Sequence, residues 1–295
     1  MGMCVLARGD RALPKLQTIF LVTSLAIALT VVALTFLLPD VILNATSEDR
    51  LVENAQFLFY ILAASLQLYI SGRLIRGERM RGVFHILLFC LFFFVAMEEI
   101  SWGQRLFGWR TPSFLWKLNY QREMNIHNIW YGMYSPSNVL LIIFTGVYCF
   151  IIPIANHASP RTRELLRRFR LPVLGIDLVS IFFIANLFHA APMNWAGGIF
   201  TVIAISLPIT LLLSGRASSF FDRCERPLLQ AFSILLVGIF TLAIWLHEPA
   251  YDVWVQNVAF ESREVLMALG FFAFSIITVR CGLSDVTQQN GPAGF

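Results

Sequence analysis

Apolar residues occur along this chain in long, almost uninterrupted runs, without the short alternation typical of helices and strands in a soluble protein. Eight runs are close to the 20 or so residues that a helix needs to cross a hydrocarbon core. They lie at Leu16–Leu38, Ala55–Ile75, Gly82–Gly103, Pro136–Ile154, Leu171–Ala190, Trp195–Ser214, Pro227–Leu246 and Glu261–Val279. Backbone groups in lipid must be hydrogen-bonded within their own segment, so the pattern predicts an all-α bundle of about eight transmembrane helices. We expect these to form a single transmembrane domain over residues 1–295.

Composition and charge support this class and predict an orientation. The chain is 57% hydrophobic and 14% charged, which is not the composition of a soluble domain. Most basic residues lie in alternate connections between the runs, at Arg8, Arg11, Lys15, Arg73, Arg76, Arg79, Arg81, Arg161, Arg163, Arg167, Arg168, Arg170, Arg216, Arg223, Arg226 and Arg280. The positive-inside rule makes these connections, and both termini, cytoplasmic. The net charge of +4 then reflects topology, and indicates membrane lipids rather than nucleic acid as partners.

Acidic side chains concentrate at the opposite ends of the predicted helices, and Glu98 and Glu99 are the most informative of them. They end an apolar run on the third predicted helix, where ionisable groups are costly and meet the negative end of the helix dipole. A cation, a shared proton or a bound metal would offset that cost, and adjacent carboxylates suit a general acid or base. If the helix continues, Arg105 lies seven residues after Glu98 on the same face. A structural Glu98–Arg105 pair is then the alternative interpretation.

A long outer connection, residues 104–135, is the second candidate feature and predicts a re-entrant or interfacial loop. Thr111 and Pro112 are typical of a helix start, and predict a short interfacial helix. Polar residues then alternate from Asn119 to His127. An extended chain would line them along one face. A helix would instead place Glu123 and His127 one turn apart, able to share a metal or a proton. An ordinary hydrogen-bonded loop is the alternative.

Three histidines, His127, His189 and His247, lie on the same predicted side as the glutamates. Together with Glu98, Glu99 and Glu123 they could hold a divalent metal such as zinc, which histidine and carboxylate ligands bind readily. A histidine near a helix end is also a common dipole-compatible cap, and that alternative stays open for each of them.

The stretch EEISWGQRLFGW from Glu98 to Trp109, with the polar run after it, resembles a signature of uncharacterised bacterial multi-pass membrane proteins. The resemblance covers roughly residues 48–128 and implies a location in the bacterial inner membrane. The paired glutamates also resemble those of the glutamate intramembrane proteases of the CAAX-processing group. That family's motif has an arginine four residues after the second glutamate, whereas Arg105 follows Glu99 by six. Its F-x-x-x-H and H-x-x-x-N elements do not occur around His127, His189 or His247.

Two classes of function follow from these features. The first is an outward-facing intramembrane hydrolase or transferase acting on a lipid or membrane-embedded substrate. In it Glu98 or Glu99 would activate water, directly or through a metal held with His127, His189 or His247. Glu123 would belong to the same site, and Arg105 would stabilise developing negative charge. The second is a proton-coupled transporter. The inner half of the predicted bundle carries almost no polar groups, which argues against transport. A non-enzymatic sensor or assembly protein is a third possibility. Walker, Rossmann, G-x-S-x-G and H-E-x-x-H motifs do not occur in the sequence.

Overall fold

The computed structural model of the protein describes residues 12–47, 50–119, 122–126, 129, 144–168, 173–174, 176–190, 227–254 and 258–289. Regular elements in this part of the chain are all helical, which confirms the predicted all-α class. The α-helices are α1 Ala12–Leu37, α2 Pro39–Ala45, α3 Leu51–Leu74, α4 Arg79–Glu99, α5 Gln104–Phe107, α6 Ser113–Leu118, α7 Ile152–Ala158, α8 Pro160–Arg168, α9 Ile176–Ala190, α10 Pro227–Leu246, α11 Glu248–Val253 and α12 Ala259–Gln289. A short 3-10 turn, Ser101–Gly103, and a wide π-helical segment, Thr145–Ile151, complete the set.

Among the described helices, five are long and apolar enough to cross a membrane, as expected of a multi-pass membrane protein. They are α1 from Lys15, α3, α4, α10 from Leu229, and α12 as far as Arg280. Two shorter apolar helices are also present. Thr145–Asn156 overlaps the fourth predicted span, and Leu178–Phe188 falls within the fifth. The sixth predicted span lies outside the described residues. The count of eight and the orientation of the termini therefore stay predictions.

The described residues within 57–175 and 271–289 form one compact unit. Its core is aromatic: the Phe92 ring of α4 lies 4.9 Å from that of Phe271 on α12, and Tyr60 of α3 packs against both. Gly82, in the first turn of α4, lies close to the residue that follows α3, because a Cβ there would lie 2.8 Å from the Cα of Ile75. The α3–α4 hairpin therefore has a tight connection, and the contacts of Ser71 with Gly82 and of Tyr60 with Phe92 make its two helices antiparallel.

The described residues within 17–56 and 176–270 form a second compact unit. Phe188 of α9 packs on the buried Trp254, with ring centroids 4.9 Å apart. Gly270 of α12 leaves room for the ring of Phe182, which a Cβ would approach to 2.9 Å. Aromatic side chains therefore pack in this unit as well, against one another and against a glycine.

The end of α4 differs from its prediction. The apolar pattern predicts a helix through Gly103, whereas α4 ends at Glu99 and is followed by the short 3-10 turn. Left-handed backbone conformations at Ser101 and Trp102 cause the stop. Consequently the seven-residue spacing from Glu98 no longer implies that Arg105, in α5, shares its face.

A short helix, α6, follows Thr111 and Pro112 where the sequence predicts an interfacial one. Its Phe114 and Leu118 are exposed, as expected for a segment lying against a membrane surface. Thr111, however, does not cap it. The Thr111 hydroxyl instead donates to the carbonyl of Arg122, 2.7 Å away, because the following loop folds back onto this segment.

Candidate functional site

The chain leaves α4 through three consecutive residues with left-handed backbone angles. Their φ values are 47° at Ser101, 55° at Trp102 and 74° at Gly103. Glycine adopts this conformation freely, but serine and tryptophan do so at a cost of about 1–2 kcal/mol each. Strain of this kind persists only where surrounding contacts enforce it, and it clusters at functional sites. We refer to residues 98–104 as the Glu98 turn.

Glu98 is the anchor of this turn. Its carboxylate is buried, with 4% of the residue exposed, although it ends a membrane-length helix. One carboxylate oxygen accepts the indole N–H of Trp102 at 2.6 Å, and the other accepts the backbone N–H of Ile126 at 2.5 Å. Hydrogen bonds to a charged group are the strong ones in proteins. They hold both the turn and a distant loop segment against the end of α4.

That segment is the return loop, by which we mean Asn119 and residues 122–126. Gln104 connects this loop to the Glu98 turn. Its side-chain oxygen accepts the N–H of Met124, and its amide donates to the Thr111 hydroxyl, each at 2.7 Å. Within the loop, the Asn119 amide donates to both the backbone and side-chain oxygens of Asn125 at 2.7 Å. The described part of the loop is therefore a closed turn, neither the extended strand nor the helix considered from the sequence.

The return loop brings Glu123 onto Ser101. The Ser101 hydroxyl donates to a Glu123 carboxylate oxygen at 2.5 Å, and the Asn125 amide lies 3.1 Å from both the hydroxyl oxygen and that same carboxylate oxygen. Ser101 and Asn125 are 3% and 2% exposed, whereas Glu123 is half-buried, so the hydroxyl is screened from bulk water more than the carboxylate is. A hydroxyl held against a carboxylate is the arrangement that general-base activation of a nucleophile requires.

Two of the predicted glutamates, Glu98 and Glu123, thus contact the same short turn. Glu99 is half-buried at the last residue of α4. Consecutive helical residues point about 100° apart, so adjacency alone does not bring the Glu98 and Glu99 carboxylates together. The side chain of Arg105 lies outside the described residues.

Of the three predicted histidines, only His247 has a side chain that the structure describes. His247 is the N-cap of α11 in the second unit, where its Nδ1 accepts the N–H of Ala250 at 3.3 Å. His127 and the side chain of His189 lie outside the described residues. In the described part of the chain, no three His, Cys, Asp or Glu side chains are grouped to hold a metal ion. A zinc site formed by His127, His189 and His247 accordingly stays a prediction.

Sequence reasoning did not single out Ser101 or Trp102 as members of the site. Two signals in the sequence bear on them. A small hydroxyl residue and a glycine follow an intramembrane glutamate pair within four positions, which favours a helix stop there. Trp102 also stands four residues after Glu98, the spacing at which helical side chains meet.

Comparison of the chain with protein-family models, with curated protein sequences and with solved structures found no match. The function is therefore inferred from the geometry of the site alone.

Replacing Trp102 by phenylalanine tests the anchor. Phenylalanine keeps an aromatic ring beside Phe94, whose centroid lies 5.7 Å from that of Trp102, but removes the N–H that Glu98 accepts. A buried carboxylate oxygen then loses a donor, and we expect the free energy of unfolding in detergent to fall by about 1–3 kcal/mol.

The matched control is Trp109→Phe, at an exposed tryptophan stacked on Phe107. Denaturant titration of the two variants should show a clear loss for Trp102→Phe and almost none for Trp109→Phe. Equal losses would mean that Glu98 does not depend on the indole N–H.

Proposed function

We propose that the protein is an intramembrane hydrolase or transferase acting on an ester-linked lipid or another membrane-embedded ester. The contact between the Ser101 hydroxyl and the Glu123 carboxylate, 2.5 Å apart within a strained and buried turn, carries this proposal. The turn directly follows α4, one of the five membrane-length helices among those described, so we expect it at the membrane boundary, where the ester groups of lipids lie.

The reaction follows from the roles that the contacts define. Glu123 takes the hydroxyl proton as Ser101 Oγ bonds to the substrate's ester carbon, and the bond to the leaving alcohol breaks. The protonated Glu123 then gives its proton to that alcohol. Water, or an acceptor hydroxyl in a transferase, then attacks the carbonyl carbon of the acyl–Ser101 intermediate while Glu123 takes its proton. Glu123 passes that proton to Ser101 Oγ as the acyl–oxygen bond breaks, which restores the serine and releases the acid or the new ester. Asn125 orients both reacting groups through its amide.

Glu98 has a positioning role in this mechanism rather than the water-activating role expected for it from the sequence. Both of its oxygens already accept N–H groups that hold the turn together. Arg105, in the helix directly after the turn, is our candidate for stabilising the developing oxyanion.

In this mechanism the return loop also controls access to Ser101. It covers Ser101, so the substrate reaches the hydroxyl only when the loop opens, as lids do in many enzymes. A covered site suits an esterase embedded in lipid, because it keeps water from the nucleophile until the substrate enters.

Labelling with an alkyl fluorophosphonate, which reacts with activated serines, tests the proposal in detergent-purified protein. We expect a single adduct at Ser101, found by peptide mass spectrometry and lost in Ser101→Ala. Glu123→Gln keeps the shape of the side chain but removes the base, and should slow labelling about 100-fold or more.

Ser65→Ala is the matched control, because the Ser65 hydroxyl on α3 is exposed and bonded only within its helix. Its labelling should equal that of the unchanged protein. An unlabelled Ser101 in a folded sample, or a Glu123→Gln variant labelled at the original rate, would overturn the esterase mechanism.

A second candidate function is proton-coupled transport, and one observation favours it. A series of buried, hydrogen-bonded polar residues lies in the first unit, near the arginine-bearing ends of α3 and α4. His85 Nδ1 lies 2.6 Å from the Gln67 oxygen, the Gln67 amide donates to Ser275 at 2.8 Å, and all three residues are fully buried. Gln67 accepts through its oxygen, so Nδ1 carries the hydrogen and Nε2 holds a lone pair. Among the described residues Nε2 has no hydrogen-bond partner. The half of the bundle that the sequence predicts to be cytoplasmic therefore holds more polar contacts than its pattern suggests.

Proton flux into liposomes containing the protein, followed with an internal pH-sensitive dye, tests this candidate. Transport predicts a flux that His85→Ala abolishes and that His247→Gln, in the second unit, leaves unchanged. A flux no greater than that of empty liposomes removes the candidate.

A further inference from the structure

A groove of about 560 Å³ runs along the α3–α4 hairpin, on the side away from the aromatic core. Its walls are Ile61, Ser65 and Leu68 of α3 and Phe89 and Phe93 of α4. The α3 residues recur at helical spacing on one face. Ser65 adds little polarity, because its hydroxyl donates to the carbonyl of Ile61 within the helix. The volume lies within the 300–1,000 Å³ or so that is typical of small-molecule sites.

The length of this groove matches one leaflet of a bilayer. From Ile61 to Arg73 the helix rises about 18 Å. Half of a hydrocarbon core is about 15 Å. The groove therefore extends from one end of α3 to roughly the membrane midplane, which is the depth that a single acyl chain occupies.

The groove has a cationic end. Arg73 stacks over the ring of Tyr69 with its guanidinium carbon 5.4 Å from the ring centroid, and it donates to the Tyr69 hydroxyl at 3.2 Å. Among the described residues no carboxylate forms a salt bridge with Arg73. A guanidinium has five N–H donors in a fork that matches phosphate oxygens. Beside it, Gly72 leaves open space, with no heavy atom within 4 Å of the position that a Cβ would take.

We propose that this groove is a specific binding site for an anionic phospholipid. One acyl chain lies between α3 and α4, and the phosphate binds Arg73 with the Tyr69 hydroxyl beside it. The positive-inside orientation places Arg73 at the cytoplasmic surface, where anionic lipids concentrate. The site is separate from the Glu98 turn and does not rest on the proposed esterase activity.

Native mass spectrometry of the full chain, released from detergent containing equal amounts of phosphatidylglycerol and phosphatidylcholine, tests the site. The unchanged protein should retain phosphatidylglycerol preferentially. Arg73→Gln should lower that preference about fivefold, the factor for one basic residue worth about 1 kcal/mol at an anionic surface. Gly72→Leu should remove both lipids by filling the open space, and Ser65→Leu provides a second groove-filling variant if Gly72→Leu does not fold.

The controls separate this site from general charge and from helix effects. Arg76→Gln removes a neighbouring exposed charge outside the groove and should keep the preference. Gly146→Leu fills equally open space on another helix and should keep both lipids. An equal loss in Arg73→Gln and Arg76→Gln would overturn the proposal.

Two further outcomes would also contradict it. Displacement of the lipid by millimolar inorganic phosphate would indicate an anion site rather than a lipid site. The second outcome is that the unchanged chain forms dimers as it loses lipid, while the Gly72→Leu variant does not. That outcome would identify a second copy of the chain as the occupant of the groove.

Discussion

A carboxylate buried at the end of a membrane-length helix must be hydrogen-bonded, and the structure around α4 depends on how Glu98 meets that requirement. Its two oxygens take N–H groups from Trp102, four residues ahead, and from Ile126, far along the chain. The first partner requires the chain to turn sharply after α4, and the second requires a loop to return to it. The left-handed turn, the return loop and the placement of Ser101 against Glu123 all accompany these two bonds.

The free energies involved are consistent with the hydrogen bonds of Glu98 being the cause of the strained turn. Left-handed conformations at Ser101 and Trp102 cost about 1–2 kcal/mol each. Two hydrogen bonds to a charged group contribute about 1.5–3 kcal/mol each. The anchor can therefore offset the strain of the turn. Further hydrogen bonds to Ser101, Gln104 and Thr111 hold the return loop closed, so admitting a substrate requires that these bonds open together.

Apolar runs predict the long helices well, because crossing lipid leaves a helix as the only way to satisfy the backbone. Glu98 and the polar loop from Asn119 onward also stand out from sequence, since polar groups in apolar surroundings need partners. The turn itself could not be predicted. Left-handed angles at a serine and a tryptophan come from tertiary hydrogen bonds rather than from local preference. Gln67 and His85 were missed for a related reason, because each is a lone polar residue on its own helix and they meet only across the α3–α4 pair.

Hydrogen exchange of a Glu98→Gln variant, compared with the unchanged protein by mass spectrometry, tests the central role of this anchor. Glutamine fills the same space but offers one oxygen and no charge. We expect amides in residues 122–126, Ile126 above all, to exchange at least about tenfold faster, because a hydrogen bond to a charged group is worth about 1.5–3 kcal/mol. Amides in the middle of α3 should be unaffected. Unchanged exchange in residues 122–126 would contradict the claim that Glu98 holds the return loop over Ser101.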